Sequence, residues 1–95
     1  MHASVRSYRV RDIDTLVAKI EDEFVEQIKE IDGFVGYYVI DGGDGTAASV
    51  TVGETAEAVA ESTRRAANWV RDSASDLVEG EPEVTVGKVR VRAER

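Results

Sequence analysis

The side chains best suited to chemistry in this sequence are aromatic. Tyr37 and Tyr38 are adjacent, Tyr8 lies in the first ten residues, and Trp69 is the only tryptophan. Aromatic rings form flat apolar walls, and a tyrosine hydroxyl or an indole N–H adds a polar contact. Around a cavity, these residues would bind a flat aromatic ligand. The alternative is that they only pack in the core or in an interface, which is the commoner role of large aromatic residues.

Nucleophilic, metal-binding and phosphate-binding sites are not indicated. The chain has no cysteine, its only histidine is His2, and it has no Gly-x-Ser-x-Gly segment. A thiolate site and a serine–histidine triad are therefore not expected. The segment Asp41-Gly42-Gly43-Asp44-Gly45 lacks both the lysine of a P-loop and the ligand spacing of a calcium loop. We interpret it as a hairpin turn, and we predict no metal ligands.

Length and composition indicate one globular domain, predicted to span residues 1–95. The chain is 42% hydrophobic and 33% charged, which is typical of a soluble protein. No apolar run approaches the ~20 residues of a membrane span. The net charge of −7 disfavours binding to nucleic acid or to an anionic membrane. We therefore expect a cytoplasmic, acidic protein that binds neither nucleic acid nor membrane.

The spacing of apolar residues predicts six elements. Strand-like patterns cover residues 3–11, 34–40, 47–52 and 84–91. Apolar residues at three- and four-residue steps follow Asp12 and Thr55, and they predict two helices. Gly80 and Pro82 are expected to end the second helix, after a break near Ser73 to Ser75. In the last strand, the alternation slips at Gly87-Lys88, which indicates a β-bulge.

The order βαββαβ predicts a ferredoxin-like α+β fold, in which two helices cover one face of a four-stranded antiparallel sheet. Alternation along the second strand places Phe34, Tyr38 and Ile40 on one face. It places Val35, Tyr37 and Val39 on the other face, so both faces are apolar. Because the helices cover only one face, the second would expose a larger apolar patch than a small monomer usually carries. We predict a homodimer that packs sheet to sheet.

Three segments carry a family resemblance: Gly33-Phe34-Val35-Gly36-Tyr37-Tyr38, Ser49-Val50-Thr51-Val52 and Ala66-Ala67-Asn68-Trp69-Val70. Together with the glycine-rich turn, they resemble the antibiotic biosynthesis monooxygenase-like branch of the dimeric α/β-barrel superfamily. The resemblance covers essentially the whole chain. It implies a homodimeric barrel with a small pocket between sheet and helices in each subunit. The family includes cofactor-free oxygenases of phenolic polyketides, so the resemblance implies that no cofactor is needed.

The same resemblance implies catalytic residues. Family oxygenases use asparagine, tryptophan and tyrosine side chains in the pocket, and the counterparts here are Asn68, Trp69 and either Tyr37 or Tyr38. Neighbouring helix residues diverge by about 100°, so Asn68 and Trp69 are not expected to face the same substrate. The two tyrosines alternate on a strand, so only one of them is expected to reach a given cavity.

The predicted function is binding of a small flat apolar or phenolic molecule, with oxidation of that molecule as the predicted activity. The alternative is a noncatalytic dimeric ligand-binding or accessory module. Haem degradation is set aside because the family pattern needs a histidine on the second helix, and the only histidine is His2. RNA binding shares this topology, but the chain is acidic and its faint aromatic signature falls on the second strand instead of the third.

Basic residues are concentrated at the two ends of the sequence. Seven of the twelve lie in, or within four residues of, the predicted first and last strands: Arg6, Arg9, Arg11, Lys88, Arg90, Arg92 and Arg95. These strands are neighbours in the predicted topology, and facing like charges are unfavourable unless acidic groups approach them. We expect acidic residues or a partner chain to neutralise this strip. The alternative interpretation is that the strip attracts an anionic ligand toward the pocket.

Overall fold

The computed structural model describes residues 1–95 and has the predicted element order. The strands are β1 (His2–Val10), β2 (Phe34–Asp41), β3 (Thr46–Gly53) and β4 (Val78–Lys88). They form one antiparallel sheet in the order β2-β3-β1-β4. One helix follows β1 and the other follows β3. The ferredoxin-like α+β fold predicted from the sequence is confirmed.

The first helix consists of an α-helical segment (Ile13–Lys19), a π-helical segment (Ile20–Phe24) and a second α-helical segment (Val25–Lys29). The carboxylate of Asp12 caps it by accepting a hydrogen bond from the Thr15 N–H at 3.1 Å. Its buried side chains lie at four-residue steps: Leu16, Ile20, Phe24 and Ile28. Such spacing drifts by about 40° per step around a regular α-helix. The wider π turn holds more residues and offsets part of this drift.

The second helix consists of an α-helical segment (Ala56–Trp69) and a π-helical segment (Val70–Ala74). The hydroxyl of Thr55 caps it by accepting from the Ala58 N–H at 3.1 Å. Small residues bring this helix close to β3, since a Cβ added at Gly53 would lie 3.0 Å from the Cβ of Ala58. The helix ends at Ala74, with Ser75 as its C-cap, within the predicted break.

The last strand differs from the prediction. It runs from Val78 to Lys88, so it includes Gly80 and Pro82, which the sequence analysis assigned to the end of the helix. The predicted bulge at Gly87 is also wrong, because Gly87 pairs regularly with Ala3. The irregularity lies at Gly80–Pro82, opposite Tyr8. Gly80 supplies a positive φ of 69° there, and proline is tolerated because β4 is an edge strand.

A register shift in β2 changes which residues share a face. Phe34 pairs with Gly53 and Gly36 pairs with Val52, so Val35 is an extra residue in the ladder. Phe34 therefore packs against the core together with Tyr37 and Val39. The predicted assignment of Phe34 to the opposite face, and of Val35 to the face of Tyr37, is wrong for this reason.

The sheet face away from the helices is apolar and exposed. Tyr38 and Ile40 on β2 are 60% and 53% exposed, and Val35 and Val5 are exposed as well. Val50 on β3 lies between Val5 and Tyr38 in the strand register, so these side chains form one continuous surface. We call Val5, Val35, Tyr38, Ile40 and Val50 the outer apolar face. A homodimer was predicted because one apolar face of the sheet would be left uncovered, and such a face is present.

Neither helix is both long enough and apolar enough to cross a bilayer.

Candidate ligand-binding site

A cavity of about 80 Å³ lies between the sheet and the two helices. All four strands and both helices contribute to its wall. The lining residues are Arg6, Tyr8, Leu16, Ile20, Phe24, Tyr37, Ser49, Ala66, Trp69, Val70, Val78, Gly80 and Pro82. Most are apolar, and none is a carboxylate or a histidine.

Three aromatic rings form a continuous wall. The centroid of the Phe24 ring lies 5.7 Å from that of Tyr37, edge to face, and 5.6 Å from that of Trp69. Both distances fall in the range at which aromatic pairs attract one another. The Trp69 indole N–H also donates to a carboxylate oxygen of Glu23 at 3.3 Å, which joins the two helices at the surface.

Both π-helical segments border the cavity. Ile20 and Phe24 belong to the first, Val70 belongs to the second, and Trp69 directly precedes the second. Short π-helical turns occur frequently at functional sites, because the wider turn changes which side chains point inward. The bulge at Gly80 and Pro82 lies at the same wall, opposite Tyr8. Three local irregularities of the backbone therefore converge on one cavity.

The polar groups of the cavity lie on the sheet. Arg6 and Ser49 are register partners on β1 and β3, and Tyr8 follows Arg6 on the same face of β1. The Nη1 of Arg6 donates to the carbonyl oxygen of Thr63 at 3.4 Å. Its Nε–H is buried and has no acceptor. The cavity thus has a polar wall with an unused donor beside an aromatic wall.

Tyr37 retains its proton in this environment. Burial raises the pKa of its phenol well above the ordinary value of 10.0, the nearby Tyr8 raises the pKa further, and Arg6 partly offsets both effects. A phenol with a raised pKa is neutral near pH 7. Tyr37 is therefore suited to donate a hydrogen bond and not to accept a proton from a substrate.

We expect Tyr37 to make the protein less stable in alkali. Above about pH 10, the unfolded chain loses the Tyr37 proton while the folded protein keeps it, so the free energy of unfolding falls as the pH rises. Proton linkage limits this loss to about 1.4 kcal/mol per pH unit. In urea unfolding at about pH 9, 10 and 11, the free energy of unfolding should fall less steeply with pH for Tyr37→Phe than for the wild type. Equal slopes in Tyr37→Phe and the wild type would contradict the prediction.

The structure brings together only part of the predicted site. Trp69 and Tyr37 line the cavity. Tyr38 lies on the outer apolar face, and Asn68 is exposed beside a separate shallow hollow that includes Gln27. The two tyrosines diverge as expected, and Asn68 does not line the cavity, although Trp69 also borders the hollow beside Asn68.

Arg6 and Phe24 line the cavity although neither was predicted as a site residue; Arg6 was predicted only as part of the basic strip. Phe24 lies on the apolar stripe of the first helix, and nothing in the stripe distinguishes a cavity wall from ordinary core. Arg6 carries a clearer signal, because alternation along β1 puts it on the same face as the buried Ser4 and Val10. A charged residue on the covered face of a strand needs an explanation.

No group of three or more histidine, cysteine, aspartate or glutamate side chains is arranged to hold a metal ion.

The fold is that of antibiotic biosynthesis monooxygenase-type proteins. A monooxygenase from the ActVA-Orf6 gene of Streptomyces coelicolor, solved with nanaomycin D, is 20% identical at a TM-score of 0.77, covering 99% of this chain and 91% of that chain. SnoaB, a cofactor-independent oxygenase from Streptomyces nogalater, is 11% identical at a TM-score of 0.75, and the match covers 99% of this chain and 97% of SnoaB. Protein Atu4242 from Agrobacterium tumefaciens is 25% identical at a TM-score of 0.65, covering 95% of each chain.

These likenesses confirm the ferredoxin-like fold of the single chain that the family resemblance implied. Compared by sequence, the chain matches no family model and no curated protein.

Proposed function

We propose that this protein binds a small planar phenol in the aromatic cavity and supports its oxidation by molecular oxygen without a cofactor. The observation that carries the proposal is the wall formed by Phe24, Tyr37 and Trp69 beside the polar groups of Arg6 and Tyr8. Flat aromatic walls favour a planar ring, and a few polar groups at one side fix its orientation. The similarity in fold to proteins described as a monooxygenase and a cofactor-independent oxygenase supports the choice of reaction.

The size of the cavity sets a condition on binding. At about 80 Å³ it is smaller than the ~150 Å³ cavity that holds benzene in an engineered protein, so the wall must move to admit a ring. Trp69 is the side chain best placed to move, because it lies at the surface end of the aromatic wall. Its indole N–H is held there by a single hydrogen bond to Glu23.

The proposed reaction balances with oxygen as the only co-reactant. A ring CH2 group of an anthrone-type phenol loses two hydrogens and gains one oxygen atom as a carbonyl. The second oxygen atom and the two hydrogens leave as water. The cavity contains no carboxylate or histidine to remove the first proton, so the acidity of the phenol itself must supply the reactive anion.

Oxygen consumption with an anthrone-type phenol tests this proposal. We expect the wild-type protein to consume one O2 per quinone formed. We expect Trp69→Phe to weaken binding by about 2- to 10-fold, because an aromatic contact is worth about 0.5–1.5 kcal/mol. Ala67→Ser, at an exposed position of the same helix, should behave as wild type. Failure of the wild-type protein to bind the anthrone-type phenol would contradict the proposal.

A noncatalytic ligand-binding or accessory module is the second candidate. It is favoured by the exposure of Asn68, since the asparagine that the resemblance implied for catalysis lies outside the cavity. Asn68→Ala therefore tests whether this side chain contacts the substrate or stays outside the cavity. Loss of oxidation in Asn68→Ala would mean that this side chain reaches the substrate after a rearrangement. Binding of the phenol by the wild-type protein without oxygen consumption would favour the module.

We also propose that the protein is a homodimer formed through the outer apolar face. The helices leave this face bare, and burying apolar surface contributes roughly 25 cal/mol per Å². Tyr38 belongs to this interface in the proposed dimer, while Tyr37 belongs to the cavity. A dimer would thus use the two adjacent tyrosines for separate purposes.

A further inference from the structure

The basic group in the cavity wall has no acidic partner. Arg6 lines the cavity and makes one side-chain hydrogen bond, from Nη1 to the carbonyl oxygen of Thr63. Its Nε–H is buried and unpaired. The ion pairs of the protein lie elsewhere, and none includes Arg6. A partly buried guanidinium without an anion is unfavourable for folding, so its presence calls for a binding role.

The free donors of Arg6 have a defined arrangement. In a guanidinium, the Nε–H and one N–H of Nη2 point in the same direction and form a two-pronged donor. Nη1 bonds to the backbone, whereas neither Nε nor Nη2 donates to a protein atom. This edge of the group matches the two oxygens of a carboxylate, which arginine binds through two parallel hydrogen bonds.

The surroundings of Arg6 indicate what carries the carboxylate. Tyr8 and Tyr37 line the same cavity as Arg6, and both Tyr8 and Arg6 are close enough to Tyr37 to affect the ionisation of its phenol. The aromatic wall begins at Tyr37 and continues through Phe24 to Trp69. An anion at Arg6 would therefore have an apolar, flat surface directly beside it.

We propose that the ligand is a small aromatic carboxylate, bound with its carboxylate on the Nε and Nη2 donors of Arg6 and its ring against Phe24 and Trp69. This assignment rests on the proposed function and narrows its ligand from planar phenols to phenols that carry a carboxylate. Arg6 acts in it as a specificity-determining residue.

Calorimetric titration with four probes tests the assignment: salicylate and benzoate as acids, and salicylamide and phenol as neutral rings. We expect the wild-type protein to bind salicylate about 10- to 100-fold more tightly than salicylamide, the range given by two charge-assisted hydrogen bonds. Arg6→Met should remove this preference, so that it binds salicylate no more tightly than salicylamide. Arg6→Lys keeps the charge without the two-pronged donor and should show an intermediate preference. Arg9→Gln, on the other face of β1, is the matched control and should bind as wild type.

Thermal unfolding gives a second readout that does not depend on activity. Without ligand, Arg6→Met should be at least as stable as the wild type, because it removes an unpaired charge. With salicylate, the wild type should gain stability and Arg6→Met should not. If the neutral probes bind but the acids bind no better, the Arg6 assignment is wrong and the proposed function stands. If no probe binds, both are wrong.

Discussion

Phe24→Ala is expected to lower the free energy of unfolding by about 3–5 kcal/mol, a large share of the 5–15 kcal/mol typical of a small domain. Phe24 is 1% exposed, and its ring contacts both Tyr37 and Trp69. Truncation would join the space of the lost ring to the neighbouring cavity, so the surroundings cannot collapse to fill it. Urea unfolding followed by far-UV circular dichroism measures the change.

Val25→Ala is the matched control for this experiment. Val25 follows Phe24 in the same helix and is only partly buried, so its truncation should cost about 1 kcal/mol. Both variants are measured at one protein concentration, since association would add to the apparent stability. A cost below about 1 kcal/mol for Phe24→Ala would mean that the aromatic wall is not part of the packed core.

Val50→Lys is expected to convert the proposed dimer into monomers. Val50 lies in the middle of the outer apolar face, opposite Val5 on one side and Tyr38 on the other. An ammonium group buried there without a partner costs several kcal/mol, which corresponds to a loss of at least about 100-fold in dimer affinity. Sedimentation equilibrium at micromolar concentration measures the association.

The control places the same charge outside the sheet. Val91 is 88% exposed and follows the end of β4, so Val91→Lys should sediment as the wild type does. A wild-type protein that sediments as a single chain at micromolar concentration would contradict the proposed dimer. A dimeric Val50→Lys would show instead that copies associate through another surface.

The period of the apolar residues was sufficient to predict the order of elements and hence the fold. Leu16, Ile20 and Phe24 repeat at helical spacing, and the hairpin strands alternate, so helix and strand could be distinguished. The same periods could not reveal the π-helical turns. A stripe at four-residue steps fits either backbone until tertiary packing selects the wider turn.

The site was less predictable because it depends on the irregularities. The extra residue at Val35 reverses the side of Phe34, and alternation alone does not show where such a residue is inserted. Gly80 and Pro82 resemble a helix terminator in the sequence, yet they form the bulge beside the cavity. Trp69 and Tyr37 could be recognised as candidates by residue type. The role proposed for Arg6 required the structure, since it depends on donors that are left unpaired.

The bulges also disfavour one mode of association between copies of the chain, the pairing of sheet edges. β2 and β4 are the two edges of the sheet, and each edge carries a break in its ladder, at Val35 and at Gly80–Pro82. Strand addition along an edge needs a long regular row of free N–H and C=O groups, which a bulge or a proline interrupts. Open-ended growth into fibrils is therefore disfavoured at both edges, even though the domain is small and carries exposed valines.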